Sequence, residues 1–474
     1  ASISAAGVLV AALNSFSGEH HTKDICRVGL VRLLCRLMTS TSLGSQTSVG
    51  MHLRSAQSKV FWLLWSTYAS YYLCRLNFAV AQPAILKEFP AWSAAQIGSI
   101  PSTYAVFGAL GEIVNVTLAR RFGTRQVMTL AMVLVSLTNI AFSFVSSLDA
   151  MRLLWAINGF AQSAGWSLIV QVLSDWNRSS RRGFLIGRLA TCYAAGNVFS
   201  WLLASYLCDS IGWRAAFWVP GLWLIIMAAI FFKGLRDTPE QAGFPPVRDD
   251  MEKPVAQNAE PAALNSGWKF TLHILRLTLA NRALWILTAG YFMMNTVRYG
   301  FINWTVQYIT EFHGRSIKNS ALIAILVPIT GSLGTVSAGW ASDHLFNRRR
   351  APVCVVMLLG VSAVCAGMTF IPKGDWQVAA VMLGLAGFMS YGPDVLISGI
   401  ATVDVSHPKA AAIATGQTMC FGALGAIFSG AGIGWVKDRA HGDWAAVFWV
   451  LAAIPLLPSL LMAFLWNVRP RDAK

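Results

Sequence analysis

Between residues 60 and 466 the chain is a succession of apolar runs, each about as long as the ~20 residues a helix needs to cross a bilayer. They fall at 60–84, 94–118, 127–147, 151–175, 184–208, 215–233, 284–309, 319–341, 352–371, 378–402, 411–435 and 445–466. In lipid the backbone must satisfy its own hydrogen bonds, so runs of this length and composition are read as helices. The expected fold class is an all-α membrane protein of twelve transmembrane helices. Of 474 residues, 55% are hydrophobic and 12% charged, against about 25% charged in a soluble protein. That balance excludes an ordinary soluble enzyme, a disordered chain and a collagen-like chain.

The net charge of +16 does not form one basic face. It sits in short loop clusters, as Arg120, Arg121 and Arg125, as Arg178, Arg181 and Arg182, and as Arg348, Arg349 and Arg350. The intervening loops carry only one or two bases, such as Lys87, Arg152 and Lys373. This alternation follows the positive-inside bias and places both termini in the cytoplasm. It argues against nucleic acid as a partner. The eight cysteines show no CxxC or metal-ligand spacing. No P-loop and no nucleophile constellation appears either, so neither an ATP-driven pump, a metal site nor an enzyme is expected, and no cofactor.

The chain repeats itself. Trp62 and Arg75 are 13 residues apart, as are Trp285 and Arg298, and the two pairs are offset by 223 residues. Arg120 and Asp343 share that offset of 223. Gly196-Asn-Val-Phe-Ser is echoed by Gly425-Ala-Ile-Phe-Ser, and Gly212-Trp-Arg-Ala-Ala-Phe-Trp-Val by the segment from Gly442 to Val450. A duplicated six-plus-six arrangement follows, with halves at 58–233 and 283–468 and a cytoplasmic tail at 469–474. The polar stretch 234–282 is expected to be a cytoplasmic linker. Residues 1–57 read as a tail: 25–38 permit a basic amphipathic targeting segment, and Met51 is the favoured true start.

Several motifs carry a resemblance to a known family. They are Tyr71-Tyr72-Leu-Cys-Arg75-Leu-Asn77, Arg298-Tyr299-Gly300-Phe-Ile-Asn303-Trp304, Arg236-Asp237-Thr238-Pro239 and Tyr391-Gly392-Pro393. Gly339-Trp340 with Asp343, Arg348 and Arg349 looks like an inner-loop gating signature. Arg121, Gly123 and Arg125 fit its first-half copy, although Arg120 stands where an Asp is usual. From about residue 58 to 468 the chain resembles the major facilitator superfamily, and within it the organophosphate:phosphate antiporters. The resemblance implies a site between two pseudo-symmetric halves and binding of a phosphate group by the arginines at 75 and 298.

The residues argue in the same direction. A charge at mid-membrane depth is costly and normally faces a cavity. Arg75 lies sixteen residues into its run and Arg298 fifteen into its own. Two guanidiniums facing one cavity repel each other, and an anion with several oxygens relieves that and accepts a fork from each. Tyr72, Asn77, Tyr299, Asn303 and Tyr391 complete the expected binding set. Tyr71, Tyr104, Trp166 and Trp304 are further aromatic candidates.

Acids appear where the resembling family lacks them. Glu112 and Asp394 are expected deep in the cavity and Asp175 near an end. Pairing with an arginine, carrying a proton, binding a cationic group or simply tuning the potential are all open roles. The expected function is exchange of an organic phosphate for inorganic phosphate by alternating access. A proton-coupled organic-anion symporter and a non-transporting sugar-phosphate sensor are the alternatives. A monomer in a bacterial inner membrane is expected, with a small anionic substrate, inorganic phosphate and the lipid bilayer as partners.

Overall fold

A computed structural model describes residues 52–247, 278–347, 349–402 and 411–467. Most of the expected 1–57 tail, most of the 234–282 linker, Arg348 and the 469–474 tail lie outside them. The chain divides into a tail unit, Ala1–Lys59, and a body, Val60–Lys474.

Among the described residues the body is helical throughout, without a strand. Its first part holds α1 (60–73), α2 (Asn77–Glu88), α3 (Ala94–Phe122), α4 (Thr124–Phe142), α5 (Leu148–Gln162), α6 (Gly165–Asp175), α7 (Ser179–Leu189), α8 (Thr191–Ser210) and α9 (Ala215–Gly234). Its second part holds α10 (Arg282–His313), α11 (Ile317–Ala324), α12 (Leu326–His344), α13 (Arg350–Met368), α14 (Trp376–Val395), α15 (Ala411–Ile427), α16 (Ile433–Arg439), α17 (Trp444–Ala453) and α18 (Leu456–Ala463). Each of the twelve apolar runs falls on one of these helices or on a pair separated by a short break. Among the described residues, eight helical spans are long and apolar enough to cross a membrane, and Ala94–Glu112 with Val114–Phe122, bent by 41°, makes a ninth.

The first span is broken at its arginine. Helix α1 ends in tight turns in which the N–H groups of Arg75 and Leu76 both donate to the Tyr72 carbonyl. Asn77 Oδ1 accepts from the Phe78 N–H at 3.0 Å, drawing that donor away from the helix ladder. The Cys74 carbonyl is therefore free of its helical partner in an apolar interior, where an unmet acceptor is expensive. Three side-chain amides meet it: Asn139 at 3.2 Å from α4, and Asn158 at 3.2 Å and Gln162 at 3.1 Å from α5. The break is thus held by side chains from two helices, and it sets Arg75 at a fixed corner.

Asn77 belongs to this network. Its side chain is fully buried and donates to Asn139 Oδ1 and to the Ala216 carbonyl, each at 2.9 Å. The sequence places Asn77 in the substrate site; the structure instead gives it a framework role, because both its donors and its acceptor are spent on protein. Asn77→Ala leaves buried acceptors unmet and is expected to cost about 2 kcal/mol. Thermal unfolding in detergent should register that loss while ligand affinity moves less than about threefold. An unchanged melting temperature with affinity lowered by about tenfold or more would return Asn77 to the binding set.

At the end where α3 stops, Gly123 turns the chain with a positive φ of 88°, a conformation L side chains resist. Asp237 then caps α4, accepting from the Arg125 N–H at 2.8 Å, where a helix N-terminus favours negative charge. At the equivalent turn of the second part, Asp343 pairs with Arg350 at 2.6 Å.

The opposite end, where α2 finishes at Glu88, is closed by contacts between the two parts. Asp438 on α16 caps α3, accepting from the N–H groups of Ala94 and Ala95 at 2.8 Å each. Ser102 donates to the Ile427 carbonyl at 2.6 Å and accepts from the Ala431 N–H at 2.9 Å. Gly98 and Gly430 meet backbone to backbone. Gln82 donates to Gln307 Oε1 at 2.5 Å, Gln307 donates to Glu311, and Glu311 pairs with Lys437 at 2.5 Å.

Candidate functional site

The corner at 74–76 and the middle of α10 bring the two arginines of the internal repeat to one place. Tyr299 stands between them. Its phenol accepts from Arg75 Nη2 at 3.4 Å, and the Arg298 guanidinium lies 5.0 Å from its ring centre.

Arg75 is half-buried and surrounded by aromatic rings. Its guanidinium carbon lies 5.5 Å from the Tyr72 ring centre and 5.4 Å from that of Tyr104. Ring faces attract a cation, though each such contact is worth only about 0.5–2 kcal/mol. Among the described residues no carboxylate lies within ion-pair distance of Arg75. A half-buried cation that has phenols but, among the described residues, no carboxylate partner has the chemistry to attract an anion.

Arg298 differs. It pairs with Asp394 of α14 at 2.5 Å, with both side chains largely withdrawn from solvent at 17% and 13% exposure. Its guanidinium also lies 5.3 Å from the Tyr391 ring centre. The pair is joined end-on through Nη1 and Oδ2, while Arg298 Nε and Asp394 Oδ1 are buried and have no hydrogen-bond partner. Of the three acids singled out by the sequence, Asp394 is the one beside an expected binding arginine. Glu112 is exposed within α3, and its carboxylate accepts from the Ser167 hydroxyl at 2.6 Å. Asp175 is exposed at the end of α6.

Asn303 donates to the Ser429 hydroxyl at 3.1 Å, and Trp304 donates to the Ser429 carbonyl at 2.8 Å. Both serve the α10 contact with the segment after α15 rather than the arginine pair. Tyr72 stays at the site, backed by Tyr68 and Tyr193 at 5.7 Å each.

The inner-loop candidates sit apart from this cluster. Arg125 covers Phe232 at 4.9 Å and Arg121 covers Phe122 at 5.3 Å. Gly123 and Asp343 form the two turns described above, and Gly339 is in α12 with open space beside it.

Tyr104 and Gln162 join the arginine site to the helix break. The Tyr104 hydroxyl donates to Gln162 Oε1 at 3.2 Å, and Gln162 donates to the Cys74 carbonyl at 3.1 Å. Gln162, Asn139 and Asn158 were detectable in principle, since an amide inside an apolar run must find a partner. What the sequence does not tell is that all three meet at one carbonyl.

A helical bundle with paired intramembrane arginines between its two parts defines a membrane transporter. The family model of the Major Facilitator Superfamily matches residues 64–430, and the chain belongs to that superfamily. A protein described as a probable hexose phosphate transport protein, from Chlamydia pneumoniae, is 30% identical over 88% of this chain and 92% of its own. The membrane sensor protein UhpC of Salmonella typhimurium is 29% identical over 86% of this chain and 91% of its own. Among solved structures, a bacterial homolog of the human lysosomal transporter Spinster, inward-facing and unoccupied, matches with a TM-score of 0.68. It is 17% identical, over 87% of this chain and 97% of that one, and supports the fold.

Proposed function

We propose that this transporter exchanges an organic phosphate, of the sugar-phosphate or glycerol-phosphate type, for inorganic phosphate. The observation that carries the reading is Arg75: a half-buried guanidinium with three tyrosines and, among the described residues, no carboxylate, one phenol away from Arg298. A tetrahedral oxyanion accepts two hydrogen bonds from each fork. The hexose-phosphate description of a relative at 30% identity points to the same ligand class.

Alternating access then moves the site between the two faces. Residues 58–233 and 283–468 act as two halves that rock about the arginines. The Glu88 end opens as the Arg125 end closes. The Arg125 end, the 234–282 linker and both termini face the cytoplasm of a bacterium, in accord with the loop arginines, and the working unit is a monomer.

Purified protein in liposomes loaded with inorganic phosphate tests this reading. Labelled phosphate should enter faster when unlabelled phosphate is inside, and glucose 6-phosphate should compete for entry. No uptake by folded protein would overturn the exchange. Acidification accompanying uptake would favour the proton symporter. Phosphate-ester binding without flux would favour a sensor, the role named for one relative.

A further inference from the structure

The two arginines of the site are not equivalent, and the difference bears on what the empty protein can do. Arg298 already has a counter-ion in Asp394 at 2.5 Å. Among the described residues Arg75 has phenols and rings around it and no carboxylate partner. Occluding the site strips water from whatever charge it holds, and a bare charge suffers far more from this than a paired one. Two bare arginines would also repel across the closing cavity. With Asp394 present, the empty site presents one bare cation and one ion pair.

We infer that Asp394 is a built-in substitute for the substrate at Arg298, so that exchange is not obligatory and the carrier also returns empty. The proposal rests on the exchange reading above and adds how tightly the two directions are linked. The geometry of the pair suits a ligand that must be displaced. It is held by one end-on contact, which leaves Arg298 Nε and Asp394 Oδ1 buried without partners. A fork between Arg298 and two phosphate oxygens would use the guanidinium edge more fully than Asp394 does. Phosphate and Asp394 therefore compete for one arginine. Removing the carboxylate should tighten phosphate binding and slow the empty return together, a combination that a merely structural role for Asp394 would not produce.

The test compares two fluxes in proteoliposomes loaded with labelled phosphate, one into phosphate-free buffer and one into buffer containing phosphate. Wild-type protein should show anion-free efflux at about a tenth of the exchange rate or more. Asp394→Asn should lower the ratio of efflux to exchange by about tenfold or more, and should bind phosphate at least about threefold more tightly in detergent. Wild-type efflux below about a hundredth of exchange would overturn the inference and leave the exchange reading standing, whatever the variant does. An unchanged ratio in folded Asp394→Asn would overturn it too. If the variant does not exchange, its phosphate affinity decides: equal or weaker binding than wild type sinks the inference. Failure of wild-type protein to exchange or bind phosphate would instead remove the exchange reading itself.

Discussion

Replacing Arg75 by alanine is expected to abolish phosphate exchange without weakening the fold. Each charge-assisted hydrogen bond to the ligand is worth about 1.5–3 kcal/mol, so losing a two-point fork reduces affinity by about a hundredfold or more. Arg75 has no carboxylate partner among the described residues. Its removal therefore leaves no buried anion uncompensated, and the melting temperature should hold or rise. Arg298→Ala provides the contrast. It strips Asp394 of its cation inside the membrane domain, and breaking a buried pair from one side costs about 3–5 kcal/mol. Exchange and thermal stability should then fall together. Transport assays paired with thermal unfolding read both variants. Equal stability losses in the two would mean that Arg75 has a structural counter-ion after all. Retained exchange in Arg75→Ala would remove Arg75 from the site.

The second large effect is expected at Gly98. A Cβ there would press on the Gly430 carbonyl, with its carbon at 2.8 Å, and on the Trp304 ring at 2.9 Å. All three atoms belong to the second part of the body, so the clash falls on the contact between the parts and spares the packing within the first. Two of them are backbone and have nowhere to rotate. Gly98→Leu should hold the Glu88 end apart and stall the cycle, lowering exchange by about a hundredfold, which corresponds to a barrier increase of about 2.7 kcal/mol. Phosphate binding in detergent should persist, since Arg75 and Arg298 are untouched. Exchange near the wild-type rate would show that the Glu88 end closes without backbone contact at Gly98. Loss of binding as well as exchange would show that the site needs that end closed.

Much of this is legible in local sequence. An apolar run of about 20 residues has one low-energy answer in lipid, and the helices follow it. Arg75 and Arg298 are matched by spacing alone, because the 223-residue offset of Trp62 and Trp285 repeats at the arginines. Asp343 is recognisable as an inner-loop acid, but its observed partner is Arg350. Arg348, expected in the same motif, lies outside the described residues. Asp237 stands out in the sequence only as part of a linker motif, and its work as the α4 cap depends on a turn that lies 112 residues earlier.

Asn77, Glu112 and Asp394 mark where local sequence stops being informative. All three are polar residues within or beside apolar runs, and nothing in their neighbours separates them. Asn77 is turned into the protein because the helix breaks one residue before it. Glu112 is exposed. Asp394 meets Arg298 across 96 residues of chain.

The sequence by itself determined that this chain spans a membrane as a bundle of helices, that it is built on an internal repeat, and that two arginines carry its central charge. Those properties rest on hydropathy and spacing, which are additive along a chain. Only the tertiary structure decided which polar residues face the arginines, which hold the broken first span, and that among the described residues one arginine has a counter-ion while the other does not. Those outcomes depend on helix rotation and packing, where a turn of one helix about its axis exchanges a ligand contact for a buried hydrogen bond.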